Sequence, residues 1–97
     1  MVIIAKRMLA RLGRKHPDAV AALNAWYTKT KGADWRSFAE VKRTFPTVDY
    51  VGNDRYVFDV RGNRYRIVAM IFFDIRTLYI RFAGTHAEYE KTDVKNL

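Results

Sequence analysis

The chain has 97 residues, with 18 Lys and Arg against 10 Asp and Glu, a formal net charge of +8 and no cysteine. That length accommodates one small domain, residues 1–97, and excludes a large fold with a separate cofactor domain. The lack of Cys excludes a disulfide framework, a thiolate zinc site and a thiol nucleophile. The charge directs attention to a polyanionic partner: RNA, DNA, an anionic membrane surface or an acidic protein.

The apolar content, 49%, with 14% aromatic, suffices for a core. Met1 to Ala5 are apolar, but Lys6 and Arg7 follow at once, and no later stretch is long and uncharged enough to span a bilayer. The expectation is a soluble, cytoplasmic protein with no membrane association.

In chain order, Met8, Leu9 and Leu12 fall on one helical face among Arg7, Arg11, Arg14 and Lys15. His16 and Pro17 mark a break and a restart. Val20, Leu23 and Tyr27 form the next stripe, with Trp26 beside it, and Lys31-Gly32 reads as its stop. Asp34 is placed to cap a third helix with Phe38, Val41 and Phe45 on its apolar face, and Pro46 closes it.

After Pro46 the apolar period shortens to two. Tyr56 to Val60 predicts a strand, Gly62-Asn63 a two-residue hairpin, Tyr65 to Phe73 a long strand, Asp74 to Thr77 a turn and Leu78 to Ala83 a further strand. Met1 to Ala5 can add an edge strand, and His86 to Lys91 a short helical or irregular tail. Helices first and antiparallel strands after define an α+β fold, with the N-terminal helices on one face of a sheet of three to four strands.

The turns set a register. A two-residue loop at Gly62-Asn63 makes Asp59 face Arg66, and a four-residue loop at 74–77 makes Phe73 face Leu78, Met70 face Arg81 and Arg66 face Thr85. One face then carries Phe58, Val60, Tyr65, Ile67, Ala69, Ile71, Phe73, Leu78, Ile80 and Phe82, without a charge, and belongs under the helices. The other carries Arg61, Arg64, Arg66 and Arg81 against Asp59 alone. Arg66 stands out because it sits in the central strand of this sheet, where a guanidinium can grip phosphate bidentately. An Asp59–Arg66 cross-strand pair on a solvated face is the simpler alternative.

The same register brings His86 to the end of the sheet that holds Arg64 and Arg66, followed by Tyr89 and Lys91. A base, an acid and cations are what RNA cleavage requires when the ribose 2′-OH is the nucleophile, and no metal or cofactor enters that chemistry. The two histidines, far apart and without Cys or His-x-x-x-His or Glu-rich spacing, make a weak case for a metal site, and the scattered glycines make no phosphate loop. His16 reads as a local cap.

Three runs carry a family resemblance: Phe45-Pro46-Thr47-Val48-Asp49, Tyr56 through Arg66 with its Gly62-Asn63-x-x-Arg66 piece, and Tyr79 through Tyr89 with its Gly84-Thr85-His86-x-Glu88-Tyr89 piece. Together with the Trp26 and Trp35 segments and the length, they resemble the HigB toxins of bacterial type II toxin–antitoxin modules, within the RelE-like superfamily. The resemblance implies a curved antiparallel sheet backed by N-terminal helices and a ribosome-dependent endonuclease that cuts mRNA in the ribosomal A site and arrests translation. It implies mRNA and the ribosome as partners, a HigA-type helix-turn-helix antitoxin that neutralises the toxin, and operator DNA bound only through the antitoxin complex. By position, Arg66 would stabilise the scissile phosphate, His86 would transfer a proton, and Tyr89 would stack or transfer a proton. Arg61, Arg64, Arg81 and Lys91 would hold RNA electrostatically. No cofactor or metal is implied.

Two rivals remain at the level of sequence. A non-catalytic basic module binding RNA or DNA explains the charge equally well, and so does a protein-interaction domain with an acidic partner. The charge is unevenly spread. Residues 1–35 hold seven basic and two acidic side chains, 36–81 nine and five, and 82–97 two and three. The N-terminal excess therefore offers a docking surface separate from the sheet face.

Overall fold

The computed structural model describes residues 1–97. Strand β1 (Val2–Ile4) leads into helix α1 (Arg7–Lys15), a single 3-10 turn (Pro17–Ala19), helix α2 (Val20–Gly32) and helix α3 (Phe38–Thr44). Strands β2 (Asp49–Gly52), β3 (Arg55–Val60), β4 (Tyr65–Phe72) and β5 (Thr77–Thr85) follow, then helix α4 (His86–Glu90) and a last 3-10 turn (Val94–Asn96). The sheet has five strands in the order β1-β5-β4-β3-β2. The α+β architecture matches expectation. The sheet is larger than the three to four strands expected, and it is mixed, because β1 pairs in parallel with β5.

Leu9 and Leu12 anchor α1, whose last turn carries Arg14 and Lys15 against the negative end of the helix dipole. His16 ends it ahead of Pro17. On α2 the buried stripe is Leu23, Trp26 and Thr30, not Val20, Leu23 and Tyr27, and Val20 is 42% exposed. The indole decides this rotation. Trp26 packs edge-on against Phe58 at 5.3 Å between centroids and lies beside Phe45, burying more apolar area than Val20 could. Helix α3 starts from Ser37 rather than Asp34, and Asp34 instead pairs with Arg76 at 3.0 Å. Strand β2 was not legible as a strand: it is a four-residue edge, held by pairing with β3 and by the Tyr50 and Tyr56 rings 5.0 Å apart.

The β3–β4 register is as expected, with Asp59 opposite Arg66 and Val60 opposite Tyr65. The loop takes four residues, Arg61 to Arg64, with Arg61 and Gly62 in the left-handed region at φ 53° and 64°. The β4–β5 register differs. Strand β4 stops at Phe72, opposite Thr77, because Phe73–Ile75 forms a 3-10 turn and Arg76 closes it at φ 54°. Leu78 therefore faces Ile71, and Met70 faces Tyr79 rather than Arg81. Further along, a bulge steps the register between Ala69–Ile80 and Val68–Phe82, so Arg66 faces Gly84 rather than Thr85. Arg81 is the extra residue. Phe82 leaves the helix-covered face and joins the opposite one.

The remaining residues expected under the helices behave as one set. Phe58, Val60, Tyr65, Ile67, Ala69, Ile71, Leu78 and Ile80 are all buried in a core shared with Leu9, Leu12, Leu23, Trp26 and Val41, and Phe73 packs against it.

Candidate functional site

Arg66 enters from the central strand, on the face away from the three N-terminal helices, and its side chain is only 11% exposed. Each of its three nitrogens has a partner. Nε donates to Asp59 Oδ1 across the strand pair at 3.1 Å. Nη1 donates to the Asn63 carbonyl at 3.1 Å and the Tyr65 carbonyl at 3.4 Å, and Nη2 to Asn63 Oδ1 at 2.5 Å. The Tyr89 ring lies against it, 5.7 Å from the guanidinium carbon to the centroid, within the range of a cation–π contact. The Asp59 pair is the cross-strand alternative read from sequence, and it coexists with the stack on Tyr89.

Tyr89 is carried by α4, a short helix that exists because of its cap. Thr85 Oγ1 accepts from the Glu88 N–H at 3.1 Å, and Glu88 Oε1 accepts from the Thr85 N–H at 2.8 Å, a reciprocal capping box. Hydrogen bonding from Thr85, its backbone N–H first and its side chain second, holds the Glu88 carboxyl below the ordinary carboxylate range. Tyr89 also meets Phe82, at 6.3 Å between rings, which the bulge has turned to this face. Burial pushes the Tyr89 phenol above its ordinary value against the opposing pull of Arg66, so it is a neutral hydroxyl at physiological pH. Gly84 runs beneath. A Cβ there would come within 2.7 Å of the Phe82 ring and 3.0 Å of Glu88 Oε1.

His86 opens α4 at the end of the sheet where Arg64 lies, its N–H donating to the Arg64 carbonyl at 2.9 Å. Its imidazole does not stand free. Nε2 meets Glu90 Oε1 at 2.6 Å, one helical turn on, and Nδ1 is buried without a partner. His86 and Tyr89 lie three residues apart on one helix, so the structure joins Arg66 to Tyr89 directly and His86 to both through α4.

The electrostatic residues divide. Arg61 was expected on the open face, but its left-handed backbone turns it to the helix side, where it pairs with Asp18. Asp18 also accepts from the Tyr65 hydroxyl at 2.7 Å. The ion pairs formed leave Arg64, Arg81 and Lys91 without a carboxylate partner, and all three are exposed. Beyond α4 the chain returns to the β2–β3 edge, where Asn53 Nδ2 donates to the Lys95 carbonyl at 3.4 Å and Arg55 to the Leu97 carbonyl. The face is therefore not a bare arginine surface, and Val57 and Val68 within it are buried.

Sequence reasoning missed Asn63, Glu90 and Phe82. Glu90 carried a signal in its spacing of four from His86. Asn63 was read only as a turn residue, and Phe82 was misplaced because a bulge leaves no clear trace in an apolar run. No group of three or more His, Asp or Glu side chains is arranged to hold a metal ion, and no helix is long and apolar enough to cross a membrane.

The α+β fold has one sheet face under helices, and the other presents a braced arginine, a stacked tyrosine and basic side chains without carboxylate partners. Comparison with known proteins makes this specific: residues 19–92 match the HigB toxin family, described as the RelE-like toxic component of a toxin–antitoxin system, and the chain belongs to that family. It is 34% identical over 93 residues to the mRNA interferase HigB of Escherichia coli O6:H1 (strain CFT073), spanning 94% of this chain and 90% of that protein. It is 33% identical over 93 residues to the mRNA interferase toxin HigB of Escherichia coli K12 and to mRNA interferase HigB of Shigella flexneri, covering 93% of this chain and 88% of each.

Proposed function

We propose that this protein is the toxin of a type II toxin–antitoxin module, an endoribonuclease that cuts mRNA in the ribosomal A site. Residues 1–97 act as one toxin domain in the cytoplasm. The observation that carries the reading is the Arg66 guanidinium, held in the central strand and stacked on Tyr89, one helical turn from His86. Family membership and the relatives named mRNA interferase support the same activity.

In this mechanism the substrate's 2′-OH attacks the adjacent phosphorus. The 2′-oxygen–phosphorus bond forms and the 5′-oxygen–phosphorus bond breaks, leaving a 2′,3′-cyclic phosphate. Arg66 neutralises charge developing on the non-bridging oxygens. A proton leaves the 2′-OH as it attacks and another reaches the departing 5′-oxygen; His86 carries one of these transfers once Nε2 leaves Glu90, and Tyr89 supports Arg66 and stacks a base. Arg64, Arg81 and Lys91 hold flanking phosphates, while Arg61 contributes only by leaving Asp18. The site brings few acid–base groups, so the ribosome supplies the orientation of the 2′-OH, and no metal is required.

The neutralising partner is a HigA-type antitoxin with a helix-turn-helix domain, and operator DNA is bound only through the complex of the two. Induced expression tests the reading. Wild type arrests growth and translation, whereas Arg66→Ala and His86→Ala do not. Arrest by both variants equal to wild type overturns the assigned roles.

A further inference from the structure

The Arg66 guanidinium has five N–H groups, and the edge formed by Nη1 and Nη2 is the one suited to two oxygens of a phosphate. In this structure Asn63 fills that edge from both sides, with its carbonyl on Nη1 at 3.1 Å and its side-chain Oδ1 on Nη2 at 2.5 Å. The Nε side belongs to Asp59. A bidentate phosphate therefore has no free edge on Arg66 until one occupant withdraws.

The occupants differ in how readily they can leave. The carbonyls of Asn63 and Tyr65 are main-chain groups, and Asp59 is a charged partner fixed within β3. The Asn63 amide is neutral and exposed. It rides on a loop with two left-handed residues just ahead of it, and its side chain makes no further hydrogen bond. A phosphate oxygen carries charge where Oδ1 carries only a dipole, and a hydrogen bond between two ionised groups is the stronger.

We propose that Asn63 is a positioning residue that acts as a phosphate placeholder. Its amide oxygen holds the position of a non-bridging phosphate oxygen, keeps Arg66 aligned without RNA, and swings out when the scissile phosphate arrives. This deepens the function proposed above and rests on the phosphate role of Arg66. It gives a requirement that a simple turn asparagine lacks: removing the amide and charging it must act in opposite directions. Asn63→Ala frees Nη2, leaves the main-chain carbonyls on Nη1, and favours substrate. Asn63→Asp puts a carboxylate there that competes with phosphate on equal terms.

The test is cleavage of mRNA on programmed ribosomes by the purified full chain, read as kcat and KM. Asn63→Ala lowers KM by about threefold to tenfold, and Asn63→Asp lowers kcat/KM by about tenfold to a hundredfold, the range of one charge-assisted hydrogen bond. Asn63→Gly serves the first arm if alanine disturbs the loop, and melting curves confirm that each variant folds. Equal losses in Asn63→Ala, Asn63→Gly and Asn63→Asp, with Arg66→Ala inactive, overturn the placeholder alone. Wild-type cleavage by Arg66→Ala removes the phosphate role on which it rests.

Discussion

Arg66 lies against the ring of Tyr89, joining the central strand of the sheet to the helix that follows its last strand. The contact ties the group proposed to bind phosphate to the element that carries His86. Burial pushes the Tyr89 phenol further above its ordinary value, so under the proposed function Tyr89 offers a ring rather than a phenolate. Tyr89→Ala should therefore cleave ribosome-bound mRNA about tenfold more slowly than Tyr89→Phe, the scale of one lost stacking contact. Equal rates for the two variants would assign the role to the hydroxyl.

Gly84 lets α4 and Phe82 close over β5 opposite Arg66. Gly84→Ala forces a methyl group against the Phe82 ring and Glu88. It should cost about 1–3 kcal/mol, as other overpacked positions do, and should lower cleavage by displacing Tyr89. Urea denaturation measures the first and a cleavage assay the second.

The Asp18 carboxyl is held below the ordinary carboxylate range by the Tyr65 hydroxyl first and by the charge of Arg61 as well. A group depressed on folding adds stability above its unfolded pKa and loses it as pH falls through the folded one. The difference in melting temperature between wild type and Asp18→Asn should be full at neutral pH and shrink below about pH 4. A difference undiminished in acid would show that the contact stabilises by some other means.

Phe58 is 1% exposed and meets both Trp26 and Phe45 at 5.3 Å between centroids. Phe58→Ala should destabilise the protein by about 3–5 kcal/mol. Ile75→Ser, at a position 59% exposed, should change stability by less than about 0.5 kcal/mol. Chemical denaturation of the two separates core from surface.

The parts of this arrangement legible in the sequence are those fixed by local chemistry. Gly62-Asn63 set the β3–β4 register, so Asp59 opposite Arg66 could be derived before any coordinates. The alternation of Tyr65 to Ile71 named most of the buried face. What escaped depends on tertiary competition or on a single backbone angle. Trp26 displaced Val20 from the core by size. A 3-10 turn and a bulge moved β5 against β4, taking Phe82 to the other face. The left-handed backbone at Arg61 sent its guanidinium to Asp18, and the turn that follows put Asn63 onto Arg66. The bulge and the Arg61–Asn63 turn sit at or beside the candidate site, where local rules give way to contacts that only the folded chain creates.

The central claim is that the end of the sheet bearing Arg66 and His86 cuts mRNA held in the ribosome. It is tested most directly by mapping the ends of an mRNA incubated with the purified protein, with and without programmed ribosomes. The account predicts cuts confined to the A-site codon, slow cleavage of free mRNA, retention of activity in a metal chelator, and losses of at least about a hundredfold in Arg66→Ala and His86→Ala, the scale of a lost charge-stabilising or proton-transfer group. Full cleavage by both variants, or equal cleavage of free and ribosome-bound mRNA, would contradict it.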